Sequence, residues 1–391
     1  MSSFPGPLDD SAVLITSLDL GERGGPRVAV KDCLDIAGHV TSCGSRALAD
    51  AAPAQNHADV VQALIDAGCH IIGKANMHEL AYGVTGQNEF TGTPPNPEFP
   101  DRIVGGSSSG SAAAVAAGLA DFAIGTDTGG SIRMPAACCG IIGLKPTFGS
   151  VSRTGAIPAS SSLDCIGPFA ATMDQLIAAM EAIYPGFTLP AAPDSLRLKR
   201  VTVEADLAVT QALDAALARV DAQITQIELP HFADAHAAGM TIIAGEMAAE
   251  LGHLVGSGKL GADIDARLAA AGKITAAQME EAESIRSCFT AKVDAALADC
   301  DALVLPTLPS EPILVSEASD AAAAVKLTRL VRPFNLSGHP AITLPVMTQN
   351  RLPAGVQLVG RKGEDAALCA LARELEKQIS LPAAAHRPGN A

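Results

Sequence analysis

Three polar residues stand in contexts that suit acyl transfer: Ser131 in GTDTGGSIR, Ser107 in GGSSSGS and Lys31 in VAVKD. A serine nucleophile needs a base able to take its proton near neutral pH. Lys31 is a candidate for that base, and Ser107 is a candidate to relay the proton. Gly129 and Gly130, just before Ser131, let backbone N–H groups approach a reacting carbonyl closely, as an oxyanion hole requires. Lys31 ends an apolar run, so partial burial is expected. Burial lowers a lysine pKa towards the range a general base needs.

Each segment also has a plainer reading. An isolated Gly/Ser run is compatible with a flexible linker. Here the run flows directly into SAAAVAAGLA, which favours a structured strand-to-helix turn. The G-K-[ST] ending of a phosphate-binding loop is missing, and so is a dinucleotide-type G-x-G-x-x-G. GTDTGGSIR resembles a nucleophile turn but does not match the G-x-S-x-G elbow, and a serine there could equally be a helix N-cap. The nine histidines lie outside the three segments, so no Ser–His–Asp arrangement stands out. His231 and His236 in HFADAH miss the i, i+4 spacing of a helical metal pair and read as surface polar residues.

The elements that must position these residues can be read around them. PRVAVKD (26–32) reads as a short strand with Lys31 at its C-terminal edge. Residues 57–69 place Val60, Val61, Leu64 and Ile65 on one helical face, and HIIGKAN supplies a strand and turn. A small-residue helix over 111–119, the strand DFAIG and a second glycine loop lead to Ser131. Helices between strands in this order indicate an α/β layer structure with a substantially parallel sheet. Residues 1–25 read as a surface arm, and residues from about 189 to 300 as a helical cover, with SGKLGAD a turn between helices. DALVLPT, ITLPV and GVQLVG read as strands, with helices near 320–331 and 364–378.

The 391 residues are 48% hydrophobic and 18% charged, enough to bury a large core. A net charge of −15 argues against nucleic-acid or anionic-membrane binding. No uncharged apolar stretch reaches the roughly 20 residues of a membrane span. Nine scattered cysteines without a C-x-x-C pair read as buried small hydrophobes in a reducing compartment. With no export signal at the N-terminus, a cytoplasmic protein is expected.

The stretch GGSSSGSAAAVAAGLADFAIGTDTGGSIRMPAACCGIIGLKPT resembles the amidase signature family. VAVKD, GKANMHELAYG, TPPNP, VSRTGAIPASSSLDCIGPFA, DALVLPTLP, NLSGHPAITLPV and LPAGVQLVG follow in the family's order, over roughly residues 26–180 and 300–378. The early lysine is most similar to small plant and bacterial indole-3-acetamide-hydrolase-like amidases, and unlike membrane-bound fatty acid amide hydrolase. The resemblance implies one α/β domain over residues 1–391, with a central mixed, largely parallel twisted sheet flanked by helices on both faces. Residues 26–180 would be the catalytic core, about 189–300 the substrate-side cover, and 301–378 the closing strands and last helix.

It further implies a Ser–cis-Ser–Lys triad: Ser131 as nucleophile, Ser107 as bridging serine in a cis peptide, and Lys31 as base. Backbone N–H groups of Thr128, Gly129, Gly130 and Ser131 would form the oxyanion hole. Asp127, Arg133, Ser108, Ser109, Thr126 and Asp164 are expected as supports. The implied activity is hydrolysis of a small carboxylic amide by a homodimer, with no metal or cofactor. The alternatives are a glutaminase subunit that works with an amidotransferase partner, and a catalytically silent scaffold. Arylacetamides, aliphatic amides, malonamide-like and ureido acids all stay open as substrates.

Overall fold

Short apolar runs alternate with small-residue and amphipathic runs along this chain. The computed structural model, which describes residues 12–193, 195–319 and 321–379, folds them into one α/β domain. Its strands are β1 (Leu14–Gly21), β2 (Arg27–Lys31), β3 (His70–Ala75), β4 (Phe122–Asp127), β5 (Ile142–Lys145) and β6 (Cys165–Ala170). They continue as β7 (Leu196–Val201), β8 (Ala222–Ile227), β9 (Ala302–Pro306), β10 (Ala341–Met347) and β11 (Pro353–Val359). The helices are α1 (Asp59–Asp66), α2 (Ser109–Ala116), α3 (Arg133–Cys139), α4 (Met173–Ile183), α5 (Leu207–Leu217) and α6 (Phe232–Leu251). After them come α7 (Ala262–Ala271), α8 (Ala276–Leu297), α9 (Ala321–Lys326), α10 (Arg332–Leu336) and α11 (Asp365–Ile379).

All eleven strands form one sheet in the order β1-β3-β2-β4-β6-β5-β10-β11-β9-β7-β8. Side-chain alternation along the strands decides what covers each face. Val28 and Val30 belong to the core layer that also holds buried residues of α1, α4, α5 and α11, whereas Ala29 belongs to the layer of α2 and α3. At the other end Val304 joins the first layer, and Leu303 and Leu305 pack under α6, α8 and α10. Helices therefore cover both faces, as expected.

Strand direction differs from the largely parallel expectation. Six of the ten strand pairs are antiparallel and four are parallel. The helical crossovers seen in the sequence do make β2 parallel to β3 and β4. Beyond β4 the connections change character, and β10 turns straight back into β11 as a hairpin, which forces an antiparallel pair.

Two further expectations need correction. Residues 14–21 are not part of a surface arm but form β1, antiparallel to β3; residues 1–11 lie outside the described residues. The stretch read as a purely helical cover also contains β7 and β8, parallel neighbours at the sheet edge. Their charged, half-exposed sequences LRLKRV and AQITQI bury only alternate or fewer positions, which suits an edge and hides the strand signal. The helix expected near 320–331 is shorter, α9 alone, with turns over 327–331 before α10 begins at Arg332.

Candidate active site

Lys31 is the last residue of β2 and is wholly buried. Its Nζ lies 2.8 Å from Ser107 Oγ and 2.7 Å from Thr126 Oγ1. These are neutral hydroxyls, so no carboxylate holds the ammonium in place. Burial pushes the Lys31 pKa below its ordinary value, against the opposing pull of Cys33, Asp164, Cys43 and Asp127.

Ser107 is reached through a cis Gly106–Ser107 peptide bond. Its carbonyl accepts from the His78 N–H at 3.0 Å, which ties the loop to the segment after β3. Ser108 takes no capping bond on α2. Instead its Oγ donates to the Thr126 carbonyl (3.1 Å) and accepts from the Thr126 N–H (3.3 Å), which pins the loop to β4. α2 can press into the sheet because it is built from small residues. A Cβ on Gly110 would lie 2.4 Å from the Asn76 backbone nitrogen. Ser109 Oγ is buried without a hydrogen-bond partner.

Ser131 lies in the turn between β4 and α3 and is 7% exposed. The plainer reading of this serine was a helix cap, yet α3 has no side-chain cap of that kind. Asp127 holds the turn instead. Its carboxylate accepts from the Gly130 N–H (2.7 Å), the Ile132 N–H (3.2 Å) and the Arg133 N–H (3.3 Å). The Ser131 hydroxyl is thus left uncommitted to the helix.

The same carboxylate receives a side-on fork from Arg133, Nε at 3.0 Å and Nη2 at 2.9 Å. Asn335 Nδ2 adds a bond to Asp127 Oδ1 at 2.7 Å. Burial opposes ionisation of Asp127, but the charge and hydrogen bonds of Arg133, with Asn335, outweigh it and hold the carboxyl well below the usual range. Arg133 Nη1 and Nη2 also reach Gln357 Oε1 (2.8 Å) and Asn335 Oδ1 (2.6 Å). Every face of this buried pair is satisfied.

The four amides expected at an oxyanion hole do not stand alike. The Gly130 N–H is committed to Asp127. Those of Thr128, Gly129 and Ser131 donate to no described residue. The turn also holds Gly130 at φ 117°, in the region that favours glycine. Thr128 Oγ1 donates to Asp164 Oδ1 at 2.8 Å, and Arg153 Nη2 pairs with Asp164 Oδ2 at 3.0 Å. Lys31, Ser107 and Thr126 meet where β2 and β4 end, and the turn carrying Ser131 follows β4 at that end, the side of a parallel α/β sheet on which ligands bind.

Sequence reasoning missed a second set of residues around this turn. Arg332, at the start of α10, is 7% exposed, and its Nη1 donates to His236 Nε2 at 3.0 Å. His236 is accordingly half-buried and not a surface residue, because α6 leans against α10. Burial and the Arg332 charge lower its pKa to about 4, so it is a neutral acceptor. Arg267 of α7 lies 4.6 Å from the centre of the Tyr82 ring. The only sequence signal was an arginine just before a proline that opens a helix. A cleft of about 640 Å³ runs beside the site, lined in part by His78, Thr85, Asp263, Arg267 and Val325. Among the described residues no cluster of His, Cys, Asp and Glu is arranged to hold a metal ion, and no helix is long and apolar enough to cross a membrane. Eight of the nine cysteines are buried and all are free.

A family model described as amidase matches residues 25–186 and 198–369. The chain belongs to the amidase signature family, hydrolases that act on the C–N bonds of amides. It is 34% identical to a glutamyl-tRNA(Gln) amidotransferase subunit of Halobacterium salinarum, over 90% of this chain and 95% of that protein. It is 32% identical to a fatty acid amide hydrolase of Medicago truncatula, over 90% of this chain and 64% of that protein. The solved structure of 6-aminohexanoate cyclic dimer hydrolase with substrate superposes with a TM-score of 0.84 at 26% identity, covering 97% of this chain and 92% of the other.

Proposed function

We propose that this protein hydrolyses a small carboxylic amide through a seryl acyl-enzyme on Ser131. The observation that carries the reading is a buried lysine with a depressed pKa, bonded to Ser107 and Thr126 rather than to a carboxylate. A neutral Lys31 takes the Ser107 proton as Ser107 takes that of Ser131, and Ser131 Oγ bonds to the substrate carbonyl carbon. The developing oxyanion is stabilised by the N–H groups of Thr128, Gly129 and Ser131, with Gly130 holding the turn through Asp127. Collapse breaks the C–N bond, and the proton returns through Ser107 to the leaving nitrogen. Water, deprotonated by the same relay, then releases the acid.

In this reading Asp127, Arg133, Ser108 and Thr126 hold the loops. The segment carrying α6–α8 is the substrate-side cover, since a Cβ on Gly129 would lie 3.2 Å from Ile243 Cδ1 of α6. The enzyme works as a cytoplasmic homodimer without metal or cofactor. The test is an ammonia-release screen over aryl, aliphatic, dicarboxylic and ureido amides. Ser131→Ala should lose at least about 10³-fold in kcat and lose labelling by a fluorophosphonate. Wild-type turnover in that variant would sink the mechanism.

A second reading is favoured by the relatedness to a glutamyl-tRNA(Gln) amidotransferase. There the same serine would release ammonia from glutamine for a partner protein. Glutaminase activity that appears only when a partner co-purifies selects that reading.

A further inference from the structure

Two arginines approach the turn that carries Ser131, and only one of them is satisfied. Arg133 places the lateral edge of its guanidinium, Nε and Nη2, on the two oxygens of Asp127. Arg332 uses only its far nitrogen, Nη1, on neutral His236. Its Nε is buried with no hydrogen-bond partner, and its Nη2 forms no hydrogen bond or ion pair with a described residue. The vacant edge faces the turn, since a Cβ on Gly129 would lie 2.8 Å from Nε and 3.4 Å from Nη2.

Burying an arginine without an anion is costly, and proteins normally pair such a group. Asp127 is the carboxylate nearest in charge terms, and it is already filled by Arg133, Asn335 and three backbone N–H groups. The other charge near Arg332 is also positive. Burial, reinforced by Arg267, lowers the Arg332 pKa to about 10, so it is still fully charged at neutral pH. Tyr82 has its ring against Arg267, and burial raises its pKa against the opposing pull of both arginines. Arg267 has Asp263 of its own helix near it, whereas the Nε/Nη2 edge of Arg332 meets no carboxylate among the described residues.

We propose that Arg332, assisted by Arg267, binds a carboxylate on the substrate, so that the preferred amide is the monoamide of a short dicarboxylic acid. The planar Nε/Nη2 edge matches the two oxygens of a carboxylate, as Arg133 demonstrates on Asp127 in the same turn. Gly129 is two residues from Ser131, a reach of at most about 7 Å along the chain. A short spacer between carboxylate and scissile carbonyl suits that proximity, as in malonamate, succinamate or glutaramate. A free amino acid amide such as glutamine fits less well, because its α-ammonium would face two guanidinium groups. The inference rests on the acyl-enzyme reading for what happens to the amide, but the anion site stands on its own geometry.

The test uses calorimetry on the Ser131→Ala protein, which separates binding from turnover. The probes are malonamate, succinamate and glutaramate, their neutral counterparts of equal carbon count propanamide, butyramide and pentanamide, and L-glutamine. The expected result is that at least one monoamide binds about 30-fold or more tighter than its neutral counterpart and tighter than glutamine, the scale of a charge-assisted bidentate contact. Arg332→Leu in the same background abolishes that preference, Arg332→Lys keeps part of it, and Arg267→Gln reduces it less. Circular dichroism checks that each variant is folded. If Arg332→Leu does not fold, the graded losses in Arg332→Lys and Arg267→Gln decide the matter. Equal binding of charged and neutral amides, tighter binding of glutamine, or a preference unchanged in the folded variants overturns the proposal. Carboxylate preference without ammonia release by the wild-type enzyme supports the site and sinks the acyl-enzyme reading. Ser131-dependent release from neutral amides with no carboxylate preference does the reverse.

Discussion

Replacing Asp127 by alanine removes the one group that holds the Ser131 turn from three sides, and leaves Arg133 charged, buried and without its anion. Both side chains are 0% exposed, so solvent cannot take over. An exposed pair would contribute about 0–1 kcal/mol, whereas breaking a buried one by removing a single partner costs about 3–5 kcal/mol. A melting entropy of about 2.1 cal/mol/K per residue over 391 residues is about 0.8 kcal/mol/K, so Tm should fall by about 4–6 °C. Arg133→Met should cost a similar amount, because it strands Asp127. The informative species is the double variant, which removes both charges together. It should be less destabilised than the two single losses combined, by at least about 2 kcal/mol of coupling. Urea melts of the four proteins followed by circular dichroism measure this cycle. Single losses below about 1 kcal/mol, or an additive double variant, would refute the view that this pair is a closed, desolvated unit.

The remaining predictions concern the lysine and the glycine turn. Since burial lowers the Lys31 pKa, kcat/KM should rise with pH through that lowered value and then level off. The same shift has a stability consequence. Between the lowered folded pKa and the ordinary 10.5, the unfolded chain holds a proton that the folded protein has lost, so stability rises with pH there. Lys31→Met should flatten that rise, raise stability near neutral pH and abolish turnover, as pH-dependent urea melts and ammonia assays would show. Lys145→Met should also flatten the rise, because burial lowers the Lys145 pKa too, but it should leave kcat within about threefold. A loss of turnover in both would break the assignment of Lys31. At Gly130, φ is 117° and an added Cβ would lie 2.3 Å from Val331 Cγ2. Gly130→Ala should therefore cost about 2–4 kcal/mol together with activity, while Gly118→Ala, with φ 71° and open space, should cost about 1 kcal/mol. Equal losses at the two glycines would count against the clash.

What was legible in the sequence was local. A run such as VAVKD announces both its strand and the polar residue at its end, and GGSSSGS and GTDTGGS announce turns by composition alone. Those features placed Lys31, Ser107 and Ser131 on the right elements, because each depends on its immediate neighbours. β7 was not legible, since LRLKRV carries as many charges as apolar residues and becomes a strand only by pairing with β8 and β9. Arg332 was invisible for a related reason. Nothing near position 332 says that α10 will lean on Gly129 and Gly130, which are about 200 residues away in sequence. The commitment of the Gly130 N–H to Asp127 was hidden too, because it depends on the path of the turn between the two residues and not on residue type alone.

Among the described residues four long cations are wholly buried, Lys31, Lys74, Lys145 and Arg133, and their partners sort them by role. Lys74 faces Asp32 at 2.8 Å, and Arg133 faces Asp127 at 2.9 Å. Each is held in a buried ion pair, so these two are fixtures of the fold. Lys31 and Lys145 instead meet neutral acceptors, and burial depresses the pKa of both. Either can therefore give up its proton near neutral pH more readily than an ordinary lysine. Lys145 donates to the carbonyl of its own neighbour, Pro146, and lies 3.7 Å from Cys165, so a proton leaving it has no hydroxyl to pass to. Lys31 meets two hydroxyls, and one of them, on Ser107, belongs to the loop beside the Ser131 turn. A depressed pKa alone thus does not single out the base. In the proposed mechanism the base is the buried lysine whose hydrogen bonds lead to Ser107, and in the proposed anion site Arg332 is the buried cation whose Nε has no partner among the described residues.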